Sequence, residues 1–183
     1  MTVVFLDRDG VINENRDDYV RSVDEFVFLP GALESLARLK EAGIAVVIVS
    51  NQAGVGRGLL DPAELDRINR KMCRMIADHG GEISGSYYCI HRKDEGCECR
   101  KPEIGLFRKA CDEIGLSLED SFCIGDGESD IEAGHKAGCR TILVLTGRSS
   151  ADEVESWRWK PDRIASDLRA AVDYILARSR STG

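Results

Sequence analysis

Ile44-Ala45-Val46-Val47-Ile48-Val49 is an unbroken apolar run between Gly43 and Ser50. A strand with one wet face alternates apolar and polar side chains. A continuous run instead predicts a strand covered on both faces, as in a parallel sheet between two layers of helices. The flanking chain agrees. Gly31 to Ala42 reads as a helix with Leu33, Leu36 and Leu39 on one side and Gly43 as its stop. Asp61-Pro62-Ala63-Glu64 opens the next, with Asp61 as N-cap, Pro62 as first helical residue and Glu64 as capping-box partner. Its apolar stripe is Leu65, Ile68, Met72, Met75 and Ile76, and Gly80-Gly81 end it. Further strands are expected at 3–6, 87–90, 122–124 and 141–145, and further helices at about 106–114, 128–137 and 167–178. Such alternation predicts an α/β fold with a doubly wound parallel sheet. One domain over 1–178 is expected, with 179–183 a frayed tail.

Chemistry gathers where these strands end. Val3-Val4-Phe5-Leu6 delivers Asp7 and Asp9 onto a turn ending at Gly10. Two carboxylates two residues apart share a face of an extended chain, and they repel unless a cation or proton lies between them. That pair suits an Asp nucleophile beside an Asp acid/base over Mg²⁺, although a strand-end Asp-x-Asp-Gly alone also fits a solvated turn. Ser50-Asn51-Gln52 follows the buried run, and its hydroxyl and amides can meet an anionic oxygen. In Gly54-Val55-Gly56-Arg57-Gly58 the glycines allow close backbone approach and Arg57 is an anion clamp. Arg100-Lys101-Pro102 offers Lys101 to neutralise a transferring phosphoryl group and Arg100 to grip another part of a substrate. In Gly125-Asp126-Gly127-Glu128-Ser129-Asp130, Asp126 can complete an oxygen cage for Mg²⁺, with Asp130 one helical turn later to support it.

Composition narrows the partners. A formal net charge of −7 on 183 residues disfavours nucleic acid, including polynucleotide ends. The longest apolar run is too short to cross a bilayer, so no membrane partner is expected. The N-terminus runs directly into a strand with no leader, which predicts a cytoplasmic protein; a monomer is expected. Seven cysteines, an odd number, argue against a disulfide framework. Cys73, Cys111, Cys123 and Cys139 sit in apolar patterns as inert thiols. Cys89-x-His91-x₅-Cys97-x-Cys99 is different: three thiols and an imidazole are a structural Zn²⁺ set that leaves no open position for catalysis. Such a site would brace the loop that presents Arg100 and Lys101.

As a set, Asp7-Arg8-Asp9-Gly10, Ser50-Asn51, Lys101 and Gly125-Asp126 with Asp130 resemble the four motifs of the haloacid dehalogenase superfamily of phosphatases, over nearly the whole chain. The resemblance implies a Rossmann-like fold with minimal or no cap. It implies that Asp7 attacks phosphorus to form an aspartyl-phosphate and that Asp9 protonates the leaving oxygen, then activates water. Mg²⁺ would be held by the Asp7 carboxylate, the Asp9 carbonyl and Asp126, with Ser50 and Lys101 stabilising phosphoryl oxygens. Adding Val11-Ile12-Asn13, the segment from Ser50 to Gly58 and the Cys/His loop, the chain is similar to the D,D-heptose 1,7-bisphosphate phosphatases, near relatives of the histidinol-phosphate phosphatases. That family removes the C7 phosphate of a small phosphorylated sugar in making ADP-heptose. It implies substrate contacts from Asn15, Arg16, Tyr19, Asn51, Gln52, Ala53 and Arg100. Two departures stand out: the first loop is one residue longer at Asp17-Asp18, and Gly127 replaces the family's usual Lys. The second leaves anomer preference open, with Arg57 or Arg100 as compensating cations. Histidinol-phosphate phosphatase and a non-enzymatic phosphoacceptor module are the alternative readings.

Overall fold

The computed structural model describes residues 2–179. Six parallel strands form one sheet in the order β3-β2-β1-β4-β5-β6: β1 (Val3–Leu6), β2 (Ala45–Asn51), β3 (Gly85–Cys89), β4 (Phe122–Gly125), β5 (Arg140–Val144) and β6 (Arg163–Ala165). The helices are α1 (Ala32–Glu41), α2 (Ala53–Gly56), α3 (Pro62–Asp78), α4 (Gly105–Ile114), α5 (Glu128–Ala137) and α6 (Leu168–Ser179). The order reverses between β1 and β4, where an open parallel sheet leaves a crevice beyond its carboxyl ends.

The continuous apolar strands are explained by two cores. Val4 and Leu6 of β1 and Val46 and Ile48 of β2 pack with α1, α3 and α6. Val3, Phe5, Val47 and Val49 pack on the other face with Leu106, Phe107 and Ala110 of α4 and Ala133 of α5. Adjacent residues in each strand therefore serve opposite cores. No helix among the described residues is long and apolar enough to cross a membrane.

Several local features differ from expectation. Asp61 caps α3, accepting from the Ala63 N–H at 2.7 Å. Glu64 does not reach back to it; its Oε1 accepts from the Val23 N–H at 3.1 Å, fastening a 3-10 turn at Val23–Glu25 to α3. The glycine-rich stretch after Gln52 is the short helix α2 rather than an open loop. β6 has no counterpart in the sequence reading. Ser179 closes α6 instead of opening a tail, and residues 180–183 of that expected tail lie outside the described residues.

Between β1 and α1 the chain makes a flap. Asn13 bridges both Asp9 and Phe28, the Glu14 N–H donates to Val27 O at 2.9 Å, and the Leu29 N–H donates to Ile12 O at 2.9 Å. Tyr19, at φ +67°, lays its ring over Gly54, where a Cβ would stand 3.1 Å from the ring. This flap is the roof of the crevice; among the described residues there is no separate cap domain.

Candidate active site

Asp7 leaves the end of β1 with its N–H on Ile124 O of β4 at 2.9 Å. Its Oδ1 lies 2.9 Å from Lys101 Nζ, and the same ammonium meets Asp130 Oδ1 at 2.5 Å and Val49 O at 2.7 Å. Lys101 is only 4% exposed, and such an ammonium needs this much compensation. Burial lowers its pKa, but Asp130 and Asp7 outweigh that and raise it, so it stays charged. Asn51 fixes the loop carrying it, accepting from the Lys101 N–H at 3.0 Å and donating to the Lys101 carbonyl at 3.1 Å.

Asp126 follows β4. Its Oδ2 accepts from the Arg148 N–H at 2.9 Å, from the loop after β5, and the Thr146 hydroxyl ties that loop to Gly10 O at 2.6 Å. Gly10 and Gly147 both face the Asp126 carboxylate so closely that a Cβ at either would overlap it. Asp130 braces α5 as well as Lys101, its Oδ2 accepting from the Gly127 N–H at 3.1 Å.

Carboxylate oxygens of Asp7, Asp126 and Asp130 lie within 4.8 Å of one another. Burial, then repulsion from Asp7 and Asp130, pushes Asp126 up to about 7 against the opposing Arg148 N–H and Lys101. Asp7 is also raised: burial, Asp130 and Asp9 outweigh Lys101 and the Ser50 hydroxyl. An acid trio with one shared ammonium and two carboxyls resisting ionisation fits a divalent cation with oxygen ligands. The Asp9 carbonyl also fits such a set, since no hydrogen bond of the described residues ends on it.

The Asp9 side chain goes elsewhere. Arg8, wholly buried, donates through Nη2 to Asp9 Oδ1 and Oδ2 at 2.9 and 3.0 Å. The Asn13 amide donates to Oδ1 at 2.8 Å and the Gln52 amide to Oδ2 at 2.7 Å. Burial raises Asp9, but Arg8 and these hydrogen bonds prevail and hold its carboxyl below the usual range. The two side chains are thus compensated separately, Asp7 by Lys101 and Asp9 by Arg8, which leaves the Asp9 carbonyl as its contact to a cation beside Asp7.

A cleft of about 190 Å³ opens over these groups, lined by Asp7, Asp9, Lys101, Asp126 and Asp130 and by the expected contacts Asn15, Arg16, Tyr19, Asn51, Ala53 and Arg100. Three expected residues are placed differently. Arg57 is exposed and borders a separate depression with Arg92, Lys93 and Asp94, because α2 turns it away. Its glycine neighbours make room for protein rather than ligand, Gly54 for Tyr19 and Gly56 for the Ile90 carbonyl. Gln52 is buried behind the cleft, linking Arg8 Nη2, Asp9 and the Ser50 hydroxyl. Ser50, 1% exposed, lies beneath Asp7 rather than on the cleft wall.

Sequence reasoning missed Arg8, Asn13 and Arg148. Asn13 stood inside a recognised segment and Thr146-Gly147-Arg148 follows a recognised strand, so position was the available signal.

Beside the cleft, Cys89, His91, Cys97 and Cys99 converge. The separations are 3.6 Å from Cys89 Sγ to both His91 Nδ1 and Cys97 Sγ, 3.5 Å between the Cys97 and Cys99 sulfurs, and 3.2 Å from His91 Nδ1 to Cys99 Sγ. A tetrahedron with zinc–sulfur bonds of about 2.3 Å has edges near 3.8 Å, so this donor set fits Zn²⁺. Burial pushes the Cys89 thiol up to about 12, so an ion there would have to displace its proton. Arg100 Nη1 reaches the His91 carbonyl at 3.5 Å, coupling this cluster to the cleft.

A family model described as HAD-hydrolase-like matches residues 98–171. The D-glycero-beta-D-manno-heptose-1,7-bisphosphate 7-phosphatase of Bordetella bronchiseptica is 38% identical over 176 residues, covering 96% of this chain and 98% of that protein. The D-glycero-D-manno-heptose-1,7-bisphosphate 7-phosphatase of Chlorobaculum tepidum is 35% identical over 192 residues, covering 98% and 96%. The crystal structure of the D,D-heptose 1,7-bisphosphate phosphatase from B. bronchiseptica, complexed with magnesium and phosphate, superposes with a TM-score of 0.90 at 38% identity over 97% of this chain and 99% of that one.

Proposed function

This chain belongs to the heptose-1,7-bisphosphate 7-phosphatase family of haloacid dehalogenase-like hydrolases, and from that premise we propose that it removes the C7 phosphate of D-glycero-D-manno-heptose 1,7-bisphosphate, a step towards ADP-heptose. The observation that carries the chemistry is the convergence of Asp7, Lys101 and Asp126 at the carboxyl ends of the central strands, beside an Asp9 held on its own cation. Full-length similarity to named phosphatases supports the substrate.

Asp7 Oδ attacks phosphorus in line, the phosphorus–oxygen bond to C7 breaks, and Asp9, whose carboxyl is held low in the free site but takes up a proton as the anionic phosphate binds beside it, gives that proton to the leaving alkoxide. Asp9 then takes a proton from water, which attacks the aspartyl-phosphate and releases inorganic phosphate and Asp7. Lys101 neutralises charge on the phosphoryl oxygens, and Ser50 supports Asp7 from beneath. The residues to hold Mg²⁺ are Asp7, Asp126 and the Asp9 carbonyl, with Asp130 in support; the bound ion would supply further charge neutralisation at the phosphoryl group. Cys89, His91, Cys97 and Cys99 would hold Zn²⁺ and brace the segment carrying Arg100 and Lys101. Asn15, Arg16, Tyr19, Asn51, Ala53 and Arg100 are the candidates to contact the sugar. Seven cysteines without a disulfide among them support action in a reducing cytoplasm, and we take the chain to act as a monomer.

The test is phosphate release with Mg²⁺ from both anomers of the heptose bisphosphate, histidinol phosphate and fructose 1,6-bisphosphate. The proposal expects kcat/KM to be highest for one heptose anomer. Highest turnover of histidinol phosphate transfers the chain to histidine synthesis, and no turnover of any favours a phosphoacceptor role.

A further inference from the structure

The cleft is lined by four side-chain cations, Arg16, Arg100, Lys101 and Arg148, and their partners differ. Lys101 is held by Asp7 and Asp130, and Arg16 by Asp18, with Nη2 3.1 Å from its Oδ1. Arg100 and Arg148 have no carboxylate partner among the described residues. Arg100 commits Nη1 to the His91 carbonyl. The Arg148 guanidinium makes no hydrogen bond or ion pair at all among the described residues. Glu14 and Asp17 share a neighbouring surface depression with it, yet neither pairs with it.

The unpaired guanidinium stands on a rigid mount. Its own N–H is fixed on Asp126 Oδ2, and two residues earlier the Thr146 hydroxyl is fixed on Gly10 O. The Arg148 backbone is therefore fixed relative to Gly10 and Asp126, and its exposed side chain lines the cleft from that anchor. The wall beside it is bare, because Gly127 lines the cleft and a Cβ built there meets only Asp130 Oδ2, at 3.7 Å. That wall is also the amino end of the ten-residue helix α5, where partial positive charge favours an anion.

Resting on the reading of this chain as a sugar-bisphosphate phosphatase, we infer that Arg148 binds the phosphate that is not hydrolysed. Its planar fork, with all side-chain donors unused, grips two oxygens of that group while the other phosphate faces Asp7. Arg148 is then a specificity residue: it favours bisphosphates over monophosphates and leaves the chemical step alone.

The experiment compares wild type with Arg148→Gln, Arg148→Lys and Arg100→Gln on the heptose 1,7-bisphosphate and on heptose 7-phosphate. Glutamine at 148 keeps the backbone N–H that holds Asp126. Arg148→Gln is expected to lower kcat/KM for the bisphosphate by about tenfold to a hundredfold, mainly through KM, and to change the monophosphate less than twofold. Arg148→Lys should keep part of the preference. Equal losses on both substrates, no loss on either, or a selective loss in Arg100→Gln instead would overturn the assignment. If the wild type hydrolyses neither substrate, the phosphatase reading itself fails, which is a separate result.

Discussion

Arg8, with no surface exposed, donates through one nitrogen to both oxygens of the Asp9 beside it in the chain. The guanidinium also reaches Gln52 Oε1 at 3.2 Å and lies 5.9 Å from the Tyr88 ring centroid. Asp9 is thus held in one orientation by a cation that solvent does not reach. Arg8→Met should destabilise the protein by about 3 kcal/mol, the low end for unpairing a buried charge, because the Asp9 side chain keeps some exposure. In the Asp9→Asn background the same change should cost much less. Urea denaturation of the four proteins in this cycle measures the coupling; additive losses would mean that the pair does not act as a unit.

Gly147 should resist substitution for a reason of space. A Cβ there overlaps the Asp126 side chain, a buried acid fixed by the Arg148 N–H and so with little freedom to yield. Gly147→Ala is expected to weaken Mg²⁺ activation at least about tenfold, since ligand misplacement on this scale has such effects. Half-saturating Mg²⁺ in the phosphatase assay reads it directly. An unchanged Mg²⁺ requirement would show that the Asp126 position is not critical.

The acid cluster sets a pH dependence of stability. Asp126, at about 7 in the metal-free fold against an ordinary 3.8, keeps a proton that the unfolded chain has released. Metal-free protein should therefore lose stability as pH rises from about 4 to about 7, by at most about 1.4 kcal/mol per pH unit for each proton. Asp7 is shifted in the same direction. Asp9 is shifted oppositely, but its contribution is lost only as pH falls below the ordinary carboxylate range. Denaturation in chelator at pH 5, 6, 7 and 8 should give a falling series that saturating Mg²⁺ flattens. A rising series in chelator would contradict the account.

The Cys/His cluster should act on substrate binding through Arg100 and Lys101, which follow Cys99 directly. Cys97→Ser should lower bound zinc and raise KM several-fold, with kcat changing less. Zinc content measured alongside KM checks it; zinc-free protein with an unchanged KM would separate the metal from the cleft.

The extent to which these features were legible in the sequence follows the range of the interactions. β2 announced itself because both of its faces are buried, and Asp61 announced α3 because a cap is local. Asp7 and Asp126 were legible because each directly follows a strand, whereas Lys101, in a turn before α4, was legible only as one of the four motifs taken together. Arg8 was not: strand alternation turns its side chain from Asp9, but the strand stops at Leu6 and the chain then bends. Glu64 has the spacing of a capping box, yet a distant N–H competes successfully for it. Arg57 sits among glycines that imitate a ligand loop but make room for Tyr19 and Ile90. The flap carries no periodicity, and β6 spans only Arg163–Ala165, too short to leave a pattern. Arg148 follows a strand without any motif of its own and is brought to the cleft by ties of its loop to Asp126 and Gly10.

The most direct test of the whole account is phosphorus NMR of both anomers of D-glycero-D-manno-heptose 1,7-bisphosphate with the wild-type protein and Mg²⁺, the preferred anomer then being run beside Asp7→Asn. The account predicts that the C7 resonance disappears as inorganic phosphate grows, that the C1 resonance persists, and that Asp7→Asn, still folded, does neither. Loss of the C1 signal first, or turnover by Asp7→Asn at the wild-type rate, would contradict it.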